Sequence, residues 1–304
     1  MPNFFEQLLG MFRKQEPAAR DPDATVPLPS LPVTRQPEPE TIMVQGAARR
    51  LNLGVAQDVG KVRTHNEDTL LIFTGELGGL EAMPNFGVFV VADGMGGHSL
   101  GERASGLAAR AMARSVLERV LPSLLADPRA EAERPLLREV MEEAMVAANT
   151  AVFTQVPDSG TTLTCALLIG EQVVLSHVGD SRAYILSGDE LEQVTRDHSL
   201  VQRLQELGQL SAAEAAVHPQ RSVLYRAVGQ GEGLEVDVES RRLAPGSKLL
   251  LCSDGMWGLV PDKQILQLVH AAPSTQAACE ALVAAANAAG GPDNITVVIV
   301  ELPN

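Results

Sequence analysis

An α+β fold, antiparallel β-sheets with helices outside them, follows from three features of this 304-residue sequence. Apolar, β-branched runs bounded by Gly, Asn and Asp recur along it, and helical Ala/Leu patterns fill two of the intervals between them. The elements fall in the order strands, two helices, strands, two helices, strand, without the strand–helix alternation that builds a parallel sheet. Three of the runs, TTLTCALLIG, QVVLSHVGD and RAYILSG, are separated only by turns at Gly170-Glu171 and Gly179-Asp180, which predicts an antiparallel meander.

In chain order, residues 1–14 (MPNFFEQLLGMFRK) place Phe4, Phe5, Leu8, Leu9 and Phe12 at near-helical spacing with a basic end, a short amphipathic segment able to touch a membrane surface or a partner. Residues 15–45, with PLPSLP and RQPEPE, are too poor in core-forming residues to order themselves and read as a flexible tether. The folded domain spans 46–304. Its first strands are 51–59 (LNLGVAQDV) and 68–74 (DTLLIFT) on either side of the turn-rich GKVRTHNE, followed by a buried strand over 85–93 (NFGVFVVAD). Helices are predicted over 103–121 and 133–155, then the three-strand run, then a polar insert over 196–233 with short helical pieces LVQRLQELG and SAAEAAV. Strands LEVDVESRRL and SKLLLCSD follow, then helices PDKQILQLVHAA and STQAACEALVAAANAAG, whose Pro261 and Ser274 suit helix starts. NITVVIVEL closes the chain as a strand.

Composition narrows the function. Hydrophobic residues make up 45% of the chain but aromatics only 3%, so the core is built from Leu, Val, Ile and Ala. A net charge of −14 argues against nucleic-acid binding, which needs clustered Lys and Arg. Cys165, Cys252 and Cys279 lie far apart among apolar neighbours, as buried thiols of a reducing compartment do. With no apolar run long enough to span a bilayer and no secretory signal pattern, the expected location is the cytoplasm.

The chemistry concentrates in acidic islands: Glu67-Asp68 in RTHNED, Asp93 in VVADGMGGH, Asp254 in LLLCSDG and Asp293 in GGPDNITVVIV. An aspartate directly after VFVV or LLLC is costly to desolvate unless its charge meets a cation or a donor. Taken singly, each Asp-Gly also reads as a turn after a strand. Taken together, strand-end carboxylates meeting at one point call for a divalent cation, and an all-oxygen ligand set favours Mg2+ or Mn2+ over zinc.

Seven motifs in one order carry a resemblance: RTHNED, VVADGMGGH, SGTTLT, HVGDSRAY, TRDHS, SDGMWGLV and GGPDNITVV. From about residue 50 to 302 the chain resembles the bacterial PPM, or type 2C, metal-dependent serine/threonine protein phosphatases. The resemblance implies a four-layer α-β-β-α sandwich with two central antiparallel sheets. It further implies two Mn2+ or Mg2+ ions, with Asp93 bridging both, the Gly94 carbonyl on the first, and Asp254 and Asp293 on the second. Glu67 and Asp68 then hold metal-bound waters, and Asp180 and Asp254 share a third ion. The implied reaction removes phosphate from serine and threonine of phosphorylated proteins, opposing a bacterial serine/threonine kinase, by in-line attack of a metal-bridging hydroxide. Arg63, whose planar fork can grip two oxygens, is the expected phosphate clamp. By position, the insert over 196–233 matches the family's flap, which influences substrate choice.

Two positions depart from the family. Animal-type members carry a general-acid histidine directly after the Asp-Gly; here Met95 stands there and has no proton to donate, so metal-bound water or a histidine from elsewhere has to serve, with His98 and His198 as candidates and a structural role the expectation for both. Gly258 replaces an aspartate found in many members. The alternative function, a catalytically silent phosphatase-like scaffold that binds phosphorylated partners, would be favoured by a missing aspartate; none is missing.

Overall fold

A computed structural model of the chain describes residues 50–76, 84–96, 99–126 and 135–303. The expected amphipathic segment and tether, and His98, lie outside these residues. The strands form two antiparallel sheets. The first runs β1 (Asn52–Asp58), β11 (Ile295–Glu301), β10 (Lys248–Cys252), β7 (Arg182–Ser187), β8 (Glu190–Gln193). The second runs β2 (Asp68–Gly75), β3 (Phe86–Met95), β5 (Leu163–Ile169), β6 (Gln172–Val178), β9 (Asp237–Arg242), with the two-residue β4 (Gly160–Thr161) beside the end of β3.

Side-chain alternation along each strand sorts the apolar residues into three layers of core. Phe89, Val91, Ala166 and Leu168 of the second sheet meet Ala183, Leu249, Leu251 and Val298 of the first between the sheets. The intervening Val88, Val90 and Ala92 face the opposite way, beneath the helices α1 (Ser99–Leu124) and α2 (Leu137–Gln155). On the other outer side, Cys252, Ile295, Val297 and Ile299 pack under α6 (Asp262–Ala271) and α7 (Thr275–Ala288). The α-β-β-α sandwich expected from the resemblance is therefore present, and each strand of its centre is apolar on both faces because each face is covered. Ser274 caps α7 by accepting from the Ala277 amide at 3.1 Å.

The meander prediction holds for β5 and β6 only. β7 leaves that sheet and pairs with β10 and β8 of the other. The change of sheet is made at Gly179, whose φ of +114° is open to glycine and where a Cβ would stand 2.6 Å from Thr162 Cβ. Three further details escape the sequence pattern. β3 continues through Asp93 to Met95, the four-residue β8 is too polar to look like a strand, and Asp254 opens a short helix, α5 (Asp254–Trp257). The polar insert holds α3 (Leu200–Glu206) and α4 (Ala212–Ala216). Cys165, Cys252 and Cys279 are buried free thiols, as expected. No helix among the described residues is long and apolar enough to cross a membrane.

Leu251 is fully buried between the sheets. Leu251→Ala is expected to lower stability by about 2–5 kcal/mol, read as a reduced urea midpoint at unchanged slope.

Candidate active site

Two of the connections that carry the chain between the sheets, residues 59–67 and 179–181, emerge at one end of the sandwich. Register fixes this: Asp68, the first residue of β2, stands opposite Asp93 near the end of β3, and Cys252 at the end of β10 stands opposite Arg182 and Val297. Asp180 lies in the second connection, Asp254 follows β10 and Asp293 precedes β11, so the same end receives them all. Glu67, Asp68 and Asp180 are buried; Asp93 and Asp254 are half-buried in accessible area, though protein surrounds most of each carboxylate.

Backbone and hydroxyl groups hold this end tightly. Ser253 and Thr296 each donate to Asp68 Oδ2 at 2.7 Å. The Asp93 amide donates to Thr162 Oγ1, and its carbonyl accepts from Thr161 Oγ1 and the Thr162 amide. Asn294 joins two islands: its Oδ1 accepts from the Glu67 amide, and its Nδ2 donates to the carbonyls of Val59 and His65. Gly94 sits where a Cβ would lie 2.2 Å from the Gly101 carbonyl oxygen, so only glycine brings β3 this close to the start of α1.

The electrostatics are lopsided. Burial is the largest influence on Asp68 and lifts it from 3.8 to about 7, with Asp254 and Asp293 adding to the shift and the two hydroxyls opposing it. Asp254 rises to about 6, again mainly through burial and then Asp293. Asp93 and Asp180 are pushed well above the carboxylate range by burial and by the other aspartates. Asp68 Oδ1 and Asp254 Oδ1 are buried without a hydrogen-bond partner. Such a set fits a hard divalent cation, since oxygens with no donor and mutual repulsion are what a cation relieves. Among the described residues no three His, Cys, Asp or Glu side chains close on a single point, so a cation here would draw part of its ligand set from carbonyl and water oxygens.

The other predicted residues are placed as follows. Arg63 donates from Nη2 to Asp293 Oδ2 at 2.8 Å, an ion pair at the rim of the site. Glu67 Oε1 lies 3.3 Å from His65 Nε2. His198 is buried: its Nδ1 accepts from the Gly179 amide, while its Nε2 faces Asp237 at 3.2 Å and Arg226 at 3.0 Å. It anchors the polar insert to the sheet change and is not free to serve as an acid. At Gly258, which closes α5 by donating to the Asp254 carbonyl at 2.8 Å, a Cβ would sit 2.8 Å from that same oxygen. A side chain there would press on the turn that carries Asp254.

Sequence reasoning missed the wall behind Asp180 and Asp254. Trp257 donates its indole N–H to the Asp180 carbonyl at 2.9 Å, and the Arg182 guanidinium lies 3.4 Å above its ring. Arg182 also grips buried Asp197 bidentately. The WG and RDH of two motifs held this information, but only proximity reveals that they interact.

Against known proteins, the family model described as protein phosphatase 2C matches residues 54–295. The chain belongs to this family. Among its relatives, the serine/threonine phosphatase stp of Listeria monocytogenes is 36% identical over 244 residues, covering 80% of this chain and 93% of that protein. Serine/threonine protein phosphatase PstP of Mycobacterium tuberculosis is 36% identical over 268 residues, 86% of this chain and 46% of that longer protein. The crystal structure of the PstP catalytic domain in complex with two manganese ions superposes with a TM-score of 0.67 at 33% identity, covering 84% of this phosphatase and 99% of that chain. Stp1 from Staphylococcus aureus gives 0.68 at 28%, covering 85% and 97%. Similarity to whole phosphatases of comparable length, with the acidic set intact, does not favour the scaffold reading.

Asp68 yields a pH test. Its folded-state pKa near 7 lies above the ordinary 3.8, so its contribution to stability is full below about pH 4 and is lost as pH rises through about 7. The melting temperature of the metal-free phosphatase is expected to fall between about pH 5 and pH 8. Saturating Mn2+ should raise it more at the upper end than at the lower, as read by calorimetry.

Proposed function

We propose that this serine/threonine protein phosphatase works with two Mn2+ or Mg2+ ions held by Asp93, Asp254, Asp293 and the Gly94 carbonyl, with Glu67 and Asp68 ordering water around them. One observation carries the reading: aspartates from both sheets converge at one end of the sandwich with more negative charge than the neighbouring arginines offset, and two buried carboxylate oxygens lack partners. The manganese found in the PstP catalytic domain supports it. Asp180, in the same cluster, makes a third ion with Asp254 part of the proposal.

Ions at such a site supply Lewis acidity, which makes water nucleophilic near neutral pH and offsets charge on a phosphoryl group. The chain's own residues do the rest. Asp68, fixed through Oδ2 by Ser253 and Thr296, keeps its Oδ1 unpartnered and able to accept a hydrogen bond from an ordered water. Arg63, on the rim, turns from Asp293 to the phosphate and clamps two of its oxygens. Met95 offers no proton, so the leaving alkoxide takes one from water. The substrates are phosphoserine and phosphothreonine on proteins, the opposing activity is a serine/threonine kinase, and the place of action is the cytoplasm. The insert over 196–233, packed beside Gly179 through His198, takes part in substrate choice.

Two substitutions test this. Asp254→Asn is expected to weaken Mn2+ binding by tenfold or more in calorimetric titration and to lower phosphopeptide hydrolysis by a hundredfold or more; full activity at undiminished Mn2+ affinity would sink the assignment. Arg63→Ala should raise KM for a phosphothreonine peptide by about ten- to a hundredfold, the worth of a charge-assisted bidentate pair, with Arg63→Lys in between.

A further inference from the structure

A groove of about 540 Å³ begins where β3 ends. Met95 and Gly96 line it together with Phe153, Asp158, Gly160 and Gly229. Met95 is two residues beyond Asp93, so the mouth of the groove lies about 7 Å along the strand from the catalytic carboxylates. Extended peptide advances about 3.3 Å per residue, so a substrate chain whose phosphorylated residue sits over Asp93 reaches this groove within a few residues.

The groove is built rigidly. Gly229, at φ +88°, donates its amide to Asn149 Oδ1 at 2.7 Å, and a Cβ on it would lie 2.4 Å from Val152 Cγ1. Asn149 Nδ2 donates to the Gly231 carbonyl at 2.8 Å, tying the far end of the polar insert to α2. Gly160 pairs with Met95, and a Cβ there would lie 3.1 Å from the Val228 carbonyl oxygen. A floor that needs no rearrangement lowers the ordering cost of binding.

Its walls carry two features that the core does not use. Phe153 projects from α2 with 39% of its surface exposed. Asp158 is exposed at φ +60°, the only non-glycine residue with positive φ among the described residues, and its carboxylate forms no ion pair with any described residue. An exposed charge held beside an apolar ring at the edge of a catalytic site has the chemistry to contact a substrate chain.

We propose that this groove receives the stretch of phosphorylated substrate protein flanking the phosphoresidue, with Asp158 selecting an arginine or lysine and Phe153 packing against that side chain's aliphatic stem. The inference rests on the catalytic reading of Asp93 above. Asp158 is exposed, so its preference is modest, about threefold in kcat/KM for a basic over a neutral residue, as one surface ion pair allows.

The test uses the full chain with Mn2+ and a set of phosphothreonine peptides that carry Arg, Ala or Glu two to four residues before or after the phosphothreonine. Each protein's preference is the Arg-to-Glu ratio of kcat/KM, in which any general loss of activity cancels. The wild type is expected to favour Arg on one side by several-fold, Asp158→Asn to bring the ratio near one, and Asp158→Lys to invert it. A wild type indifferent to flanking charge, or an Asp158→Asn protein that keeps the preference, overturns the proposal. Because the wild-type ratio needs no variant, the proposal stays falsifiable if a variant misfolds. Wild-type hydrolysis of p-nitrophenyl phosphate separates the two readings: if it is Mn2+-dependent while peptide charge is ignored, the groove assignment alone fails.

Discussion

Uncompensated negative charge at one end of the sandwich governs this structure. Asp68, Asp93, Asp180 and Asp254 are brought together there, while one nearby arginine, Arg63, pairs with Asp293 and the other, Arg182, is held by Asp197. Carboxylates that repel one another would pull the ends of β2, β3 and β10 apart if nothing else held them. Their neighbours do not let them go. Ser253, Thr296, Asn294, Thr161 and Thr162 bind the acidic segments to one another through short hydrogen bonds, and fully packed apolar layers lie on both faces of each sheet. The fold thus stores the electrostatic cost of a binding site in a frame stiff enough to keep it open.

The same frame explains which residues tolerate little change. Glycines at 94, 101 and 255 stand where a side chain would meet backbone or carboxylate atoms at under 3 Å: Gly94 against Gly101, Gly101 against Glu67, Gly255 against Asn294. These contacts press the helix starts onto the acidic loops, so Gly94, Gly101 and Gly255 act as spacers between elements more than as turns. Gly258 belongs to the same logic. Its missing side chain leaves the Asp254 carbonyl free to close the helical turn, which is a local packing account of a departure from the family pattern.

Much of this was legible in the sequence, and the reasons it was or was not are physical. The strands and long helices announced themselves because buried two-sided strands are continuous apolar runs and α7 is Ala-rich with a capping Ser274. The acids at 93, 254 and 293 were visible because a charge beside such a run needs a reason. The sheet change at Gly179 was not, since a Gly-Asp turn between strands looks the same whether the second strand joins its predecessor or the opposite sheet. Asn294 and Trp257 were hidden for another reason: their partners, Glu67 and Asp180, are 227 and 77 residues away. His198 shows the reverse case, a histidine in a functional motif whose ring is occupied by structural bonds.

The placement of Trp257 also gives the molecule a built-in optical probe. It is the single tryptophan in the chain, and its ring lies under the Arg182 guanidinium while its indole N–H is bound to the Asp180 carbonyl. Its emission therefore comes from one spot, on the same short helix as Asp254. A paramagnetic ion nearby, a displaced Arg182 or a shifted insert would each change that light, so the phosphatase carries its own dye at the place where its state matters.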